Sequence, residues 1–211
     1  MTELTAANLR SIFQTIGAAI EADKGRLSEL DGVIGDADHG VTMSIGFTAV
    51  NEALAQLDPG ADPTAVFNTA AKSFLNAVGA SSGPLYGTAF MRAGAVVKGK
   101  PAIDDAALVD CLAAMAKGMQ DRGKAERGEK TMMDAWLPAA EAAQACSGDA
   151  LACLEAAVTA AEAGAEASKA MLATKGRAAR LGERALGHMD PGAASAVTIL
   201  KAMTEAVRGL R

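Results

Sequence analysis

The chain has 211 residues, enough for one domain, and half of them are hydrophobic, so it can fill a core and is not disordered. Its 20 basic residues are outweighed by 25 acidic ones, and no basic run stands out, which argues against a dedicated nucleic-acid binder. Only 3 % of the residues are aromatic and about a quarter are Ala, a composition that favours closely packed helices over a large sheet. Three cysteines without a Cys-x-x-Cys spacing indicate neither a disulfide framework nor a zinc site. Met1 to Arg10 holds no apolar run suited to a signal peptide. The uncharged stretch between Lys72 and Arg92 is broken by Gly79, Gly83, Pro84 and Gly87, so it does not read as a membrane span. The expectation is a soluble cytoplasmic protein with no membrane partner.

The apolar spacing is helical from the start. Leu9, Ile12, Phe13, Ile16 and Ile20 form one face of a first helix, and the segment Asp31–Gly40 follows it. Helices are then predicted over 41–57 and 62–78, the latter entered through Asp62-Pro63, a capping Asp before a Pro at the first helical position. After Gly79–Gly87 come helices over 84–98 and 104–122, then the segment Gly123–Lys130. Thr131 with Asp134 resembles a capping box for a helix over 131–146, and Asp149 can cap one over 149–174. That seventh helix is Ala-rich but carries Glu155, Glu162, Glu166 and Lys169, as an exposed face should. The long connection Gly176–Gly192 leads through Asp190-Pro191 into a last helix over 191–208. The fold class is all-α, a single domain over 1–211 with about eight antiparallel helices. In such an arrangement the connections after helices 1, 3, 5 and 7 lie at one end. These four are the Gly-rich polar ones, so they are expected to form a single site.

Asp31, Asp36 and Asp38 place three carboxylates within eight residues, a set suited to hard cations such as Mg²⁺ held against phosphates. The plain alternative is a solvated acidic turn with Asp38 as a helix cap. An EF-hand is excluded, because Val33 stands at the third ligand position. His39 is either a phosphate contact or simply exposed. Gly79–Gly87, with Ser81 and Ser82, lets backbone approach a ligand and opens a helix whose amides suit an anion. Tight helix packing is its alternative reading. Gly128–Asp134, taken alone, reads as a capped helix start. Arg177 can neutralise phosphate charge, or be an ordinary surface residue. Asp190-Pro191-Gly192 can place backbone near a base or ribose, or merely cap a helix.

With these segments in view, the sequence resembles the nucleotide-binding L subunits of the dihydroxyacetone kinase family over essentially its whole length. The family pattern runs Asp-Gly-x-x-Gly-Asp-Gly-Asp-His-Gly, a Gly-Ala-Ser-Gly-Pro-Leu-x-Gly type loop, Gly-Asp-Lys-Thr-Met, then Gly-Arg-Ala, Gly-Glu-Arg and Asp-Pro-Gly-Ala. Here these stand as Asp31–Gly40, Gly79–Gly87, Gly128–Met132, Gly176–Ala178, Gly182–Arg184 and Asp190–Ala193. Ala37 replaces the usual middle Gly, Thr42 stands where Asn is common, and Glu129 replaces a frequent Asp. Cys111, Cys146 and Cys153 match no motif and are expected in the core.

The resemblance implies a helical barrel with ADP or ATP bound at one end and two Mg²⁺ ions held by Asp31, Asp36 and Asp38. It implies nucleotide contacts from His39, Gly40, Val41, Thr42, Ser81, Ser82, Gly123, Met132, Arg177, Asp190, Pro191 and Gly192. It also implies that the chain acts with a separate K-type subunit that holds the ketose. In one branch of the family an M-type subunit of the phosphotransferase system recharges bound ADP; in the other, ATP is consumed. The length of the chain favours the first branch or a two-subunit version of the second. A kinase subunit for a related ketose such as erythrulose is the main alternative. A non-enzymatic helical binding protein would leave the four Gly-rich motifs unexplained.

Overall fold

The computed structural model describes residues 3–79 and 81–210; Ala80, inside the second Gly-rich motif, lies outside the described residues. Among the described residues eight α-helices follow in order: α1 (Ala6–Ile34), α2 (His39–Ala55), α3 (Pro63–Ala77), α4 (Ser82–Val96), α5 (Asp105–Gly123), α6 (Met133–Ala145), α7 (Ala150–Ala167) and α8 (Pro191–Gly209). Among the described residues the only β pairing is one isolated antiparallel bridge, Leu4 with Ile103. Six of the predicted helices have ends within about two residues of those observed, ordinary fraying for helix termini.

The starts are set by side chains. Thr5 and Asn8 form a reciprocal capping box at α1. Asp62, Asp104, Asp149 and Asp190 each accept a hydrogen bond from the amide three residues on, at 2.7 to 2.9 Å. Met132 takes the cap position of α6, while Thr131 N donates to Asp134 Oδ2 at 2.8 Å and Met133 N donates to Thr131 Oγ1 at 3.2 Å. The pairing expected of Thr131 and Asp134 is half present: Asp134 accepts from Thr131 N, but Thr131 Oγ1 accepts from Met133 N and not from Asp134 N, and the cap residue is Met132.

Two expectations need correction. The first acidic segment is not all loop, because α1 continues through Asp31 to Ile34. Ile20, Leu27 and Ile34 recur every seventh residue and are all buried, which carries the apolar face two turns further. The seventh helix ends at Ala167 and not at 174. Ser168 stops it: its Oγ donates to Ala165 O at 2.6 Å and accepts from Asp190 N at 2.9 Å. Short 3-10 segments, Ser168–Ala170 and Ala178–Ala185, occupy the connection that follows.

Each helix packs on its neighbour in sequence, and α8 closes back on α1, so the helices form a ring. Every aromatic residue of the chain sits inside it. Phe13, Phe47, Phe67, Phe74, Tyr86, Phe90 and Trp136 form one connected set with ring centroids 5.3 to 6.4 Å apart, most of them edge to face. Aliphatic side chains and many Ala fill the rest of the core, and the small ones let the helices approach closely. Gly40 shows how closely: a Cβ there would lie 2.0 Å from Lys24 O on α1. Among the described residues, no helix is long and apolar enough to cross a membrane.

Candidate functional site

The four Gly-rich connections do meet. They line a cavity of about 750 Å³ at one end of the ring, a volume in the range of small-molecule sites. α2, α4, α6 and α8 all begin at this cavity, with Asp38 and His39, Ser81 and Ser82, Met132 and Met133, and Asp190 to Gly192 on its wall. A helix N-terminus carries unpaired amides and the positive end of the peptide dipoles. Four such starts at one cavity give it the positive ends of four helix dipoles, an environment that suits an anion, although Asp31 and Asp190 already take opening amides of α2 and α8.

Of the residues expected at a nucleotide and metal site, Asp31, Asp36, Asp38, His39, Thr42, Ser81, Ser82, Gly123, Met132, Arg177, Asp190, Pro191 and Gly192 line the cavity. Gly40 and Val41 do not. Gly40 is buried in the α1–α2 contact, and Val41 is exposed on α2.

The three carboxylates differ in their surroundings. Asp31 is buried in the last turn of α1, and its Oδ2 accepts from Asp38 N at 2.9 Å and His39 N at 3.2 Å. It thereby caps α2 from the preceding helix and fixes the loop between them. Gly35 makes room for this, since a Cβ there would lie 2.1 Å from Asp31 Oδ1. Asp36 and Asp38 stand on the loop and are exposed. Asp38 holds the N-cap position of α2, yet its side chain caps nothing, so the plain reading of it as a helix cap is not met. One carboxylate oxygen from each of the three lies within 4.8 Å of the others. Such an all-oxygen set suits a hard divalent cation. The positive charge beside it in this structure belongs to Arg177, which pairs with Asp36 and has Nη2 3.9 Å from Asp38 Oδ2.

His39 is largely buried, with Nε2 2.9 Å from Ser195 Oγ, and burial holds its pKa below the usual value while Asp31 acts in the opposite sense. The imidazole is therefore neutral at pH 7. Asp190 is buried under the start of α8, and burial pushes its carboxyl up to about 7 despite the hydrogen bond from Ala193 N.

Sequence reasoning missed Lys130. Its side chain is buried, and Nζ donates to Ser168 O at 2.6 Å and to His188 O at 2.5 Å. Burial lowers its pKa, with Asp190 and Asp134 opposing. Asp134, also buried, accepts from Gly128 N at 2.5 Å and from Thr131 N at 2.8 Å. Lys130 thus ties the wall at 128–134 to the wall at 168–190. The signal was its place in the Gly-x-Lys-Thr-Met run, where a Lys of ordinary appearance precedes the helix.

A model of the DAK2 domain matches residues 33–205. The chain belongs to the DAK2 domain family. Among its DAK2 relatives, the ADP-binding subunit DhaL of PEP-dependent dihydroxyacetone kinase 2 from Listeria innocua is 41 % identical over 210 residues, 97 % of each chain. The corresponding subunit of the PEP-dependent enzyme of Escherichia coli is 38 % identical over 198 residues, 91 % of this chain and 92 % of that one. The PTS-dependent subunit of Lactococcus lactis is 38 % identical over 190 residues, 89 % of this chain and 91 % of that one. The DAK2 fold is shared with the crystal structure of the dihydroxyacetone kinase from C. freundii in complex with AMP-PNP and Mg²⁺, at a TM-score of 0.75 and 28 % identity. The match spans 97 % of this chain and 35 % of that longer one. The helical fold and the family expected from the motifs are both borne out.

Proposed function

We propose that the chain is the ADP-binding subunit of a phosphotransferase-system dihydroxyacetone kinase. In this reading it passes a phosphoryl group from bound nucleotide to dihydroxyacetone held on a K-type subunit, and an M-type subunit recharges the ADP. The observation that carries the reading is the convergence of four helix N-termini and three clustered carboxylates on one cavity. Close similarity to ADP-binding DhaL subunits over nearly the full chain supports the choice of partners.

Asp31, Asp36 and Asp38 would hold two Mg²⁺ ions, which when bound supply charge neutralisation for the transferring phosphoryl group. The chain's own contribution is positioning. Arg177, now paired with Asp36, would turn to phosphate oxygens once cations occupy the carboxylates. The starts of α2, α4 and α8 would turn the positive ends of their dipoles to the anion, with Thr42, Ser81 and Ser82 on the same wall. Gly123, Met132 and the Asp190–Gly192 turn wall the rest of the cavity. Phosphoryl transfer asks for this positioning and charge stabilisation more than for covalent help from the protein.

Reconstitution tests the reading. The chain is combined with a K-type and an M-type subunit, the phosphotransferase relay and phosphoenolpyruvate, and dihydroxyacetone phosphate is measured. Turnover is expected with ADP bound to the chain and no ATP added. Turnover with ATP alone would favour the ATP-dependent branch, and no turnover with either donor would contradict the reading. Replacing dihydroxyacetone by erythrulose in the same assay tests the second acceptor. That acceptor is suggested by 32 % identity over 202 residues to the L-erythrulose 1-kinase of Mycolicibacterium smegmatis, a protein of which this chain spans 35 %.

A further inference from the structure

Two of the three cysteines are neighbours at the end of the barrel away from the cavity. Cys146 follows the last residue of α6, Asp149 caps α7, and Cys153 lies one turn into α7. Both sulfurs face the same turn. Gly148 N donates to Cys146 Sγ at 3.3 Å, and the Cys153 thiol reaches Cys146 O and Gly148 O, each at 3.6 Å. Burial, and then the neighbouring Cys146, push the Cys153 thiol up to about 11. Their access differs. Cys153 is buried, whereas Cys146 is only half-buried and open to a small reagent. Cys111 takes no part, since its thiol is buried against Ala93 O at 3.6 Å, on the α4–α5 contact.

We propose that Cys146 and Cys153 are a disulfide-forming pair, oxidised by a hydroperoxide and closing the α6–α7 connection. Cys146, as thiolate, attacks a peroxide oxygen; the O–O bond breaks and Cys146 becomes a sulfenic acid, releasing water or an alcohol. The Cys153 sulfur then attacks the Cys146 sulfur. The S–S bond forms, the S–O bond breaks, and hydroxide leaves with the Cys153 proton as a second water. Two thiols lose two electrons to the peroxide, and no other co-reactant is needed. Cys146 is the attacking thiol because it is the accessible one. Cys153 resolves the sulfenic acid because it is already beside it. The cross-link spans an eight-residue segment, Cys146–Cys153, outside the cavity wall. It clamps α6 to α7 without touching the carboxylates or the helix starts at the other end.

The test treats the purified full chain with hydrogen peroxide, follows free thiols and intact mass, and maps peptides after cleavage between the two cysteines. The expected result is a loss of two hydrogens in mass, a fall in free thiols from three to one, and a Cys146–Cys153 linked peptide. A rise in melting temperature that dithiothreitol reverses should accompany it. In a Cys153→Ser variant the sulfenic acid at Cys146 should persist and be trapped by dimedone. Over-oxidised Cys146 beside free Cys153 in the wild type, a link between two chains, or equal dimedone trapping in wild type and variant would each overturn the proposal.

Discussion

Ala37 holds a left-handed backbone, φ 63°, in the middle of the acidic loop, where the resemblance leads one to expect Gly. That conformation costs a residue with a Cβ about 1–2 kcal/mol, and Gly would give back about 0.5–1 kcal/mol of this as unfolded-state entropy. Ala37→Gly should therefore stabilise the protein by up to about 1 kcal/mol, read from the urea midpoint; destabilisation of that size would contradict the backbone assignment. At this scale the sequence was informative about identity and less so about environment. The spacing of Asp31, Asp36 and Asp38 was plain. That Asp31 is helical and spends its carboxylate on two amides of the next helix depends on a tertiary contact that no local pattern contains.

Among the elements, the walls of the cavity are joined by one buried cation. Lys130→Met would leave Ser168 O and His188 O without their donor and remove the positive charge beside Asp134 and Asp190. Breaking a buried charged network of this kind costs about 3 kcal/mol. The backbone gives no relief, because Met would inherit the same φ of 59°. Urea unfolding should show that loss at unchanged slope; a loss under about 1 kcal/mol would mean that the lysine holds nothing together.

Asp190 makes a pH prediction. Its pKa in the fold is raised from 3.8 to about 7, mainly by burial, so the folded protein keeps a proton that the unfolded chain has released. This contribution to stability is present in full below the unfolded value and is lost as pH rises toward 7. Asn at this position keeps the cap on Ala193 N and has no proton to lose. Relative to wild type, Asp190→Asn should gain about 3 kcal/mol between pH 4 and pH 7, taking 1.36 kcal/mol per unit and a folded carboxyl that is half titrated at pH 7. A difference that stays constant over that range would contradict the burial argument. The helix start here was legible from Asp190-Pro191. Its burial was not, because it arises where Ser168 and Lys130 fold over it from other segments.

For the whole molecule, the up-and-down order was enough to predict which connections share an end. The physical reason is simple: short connections force antiparallel neighbours, and alternate turns then coincide. What the order could not supply is the closure of α8 onto α1, which joins the two ends of the chain only in the finished ring. In the reading proposed above, this end of the ring binds a nucleotide through its phosphates, with divalent cations held by the three Asp. Calorimetric titration of ADP decides the point, with Mg²⁺, with chelator, and with an Asp36→Asn variant in Mg²⁺. Asp36 is exposed and buries no core, so the variant should fold normally. Binding is expected in Mg²⁺, with affinity at least tenfold weaker, about 1.4 kcal/mol, both with chelator and in the variant. Equal affinity under all three conditions would contradict it.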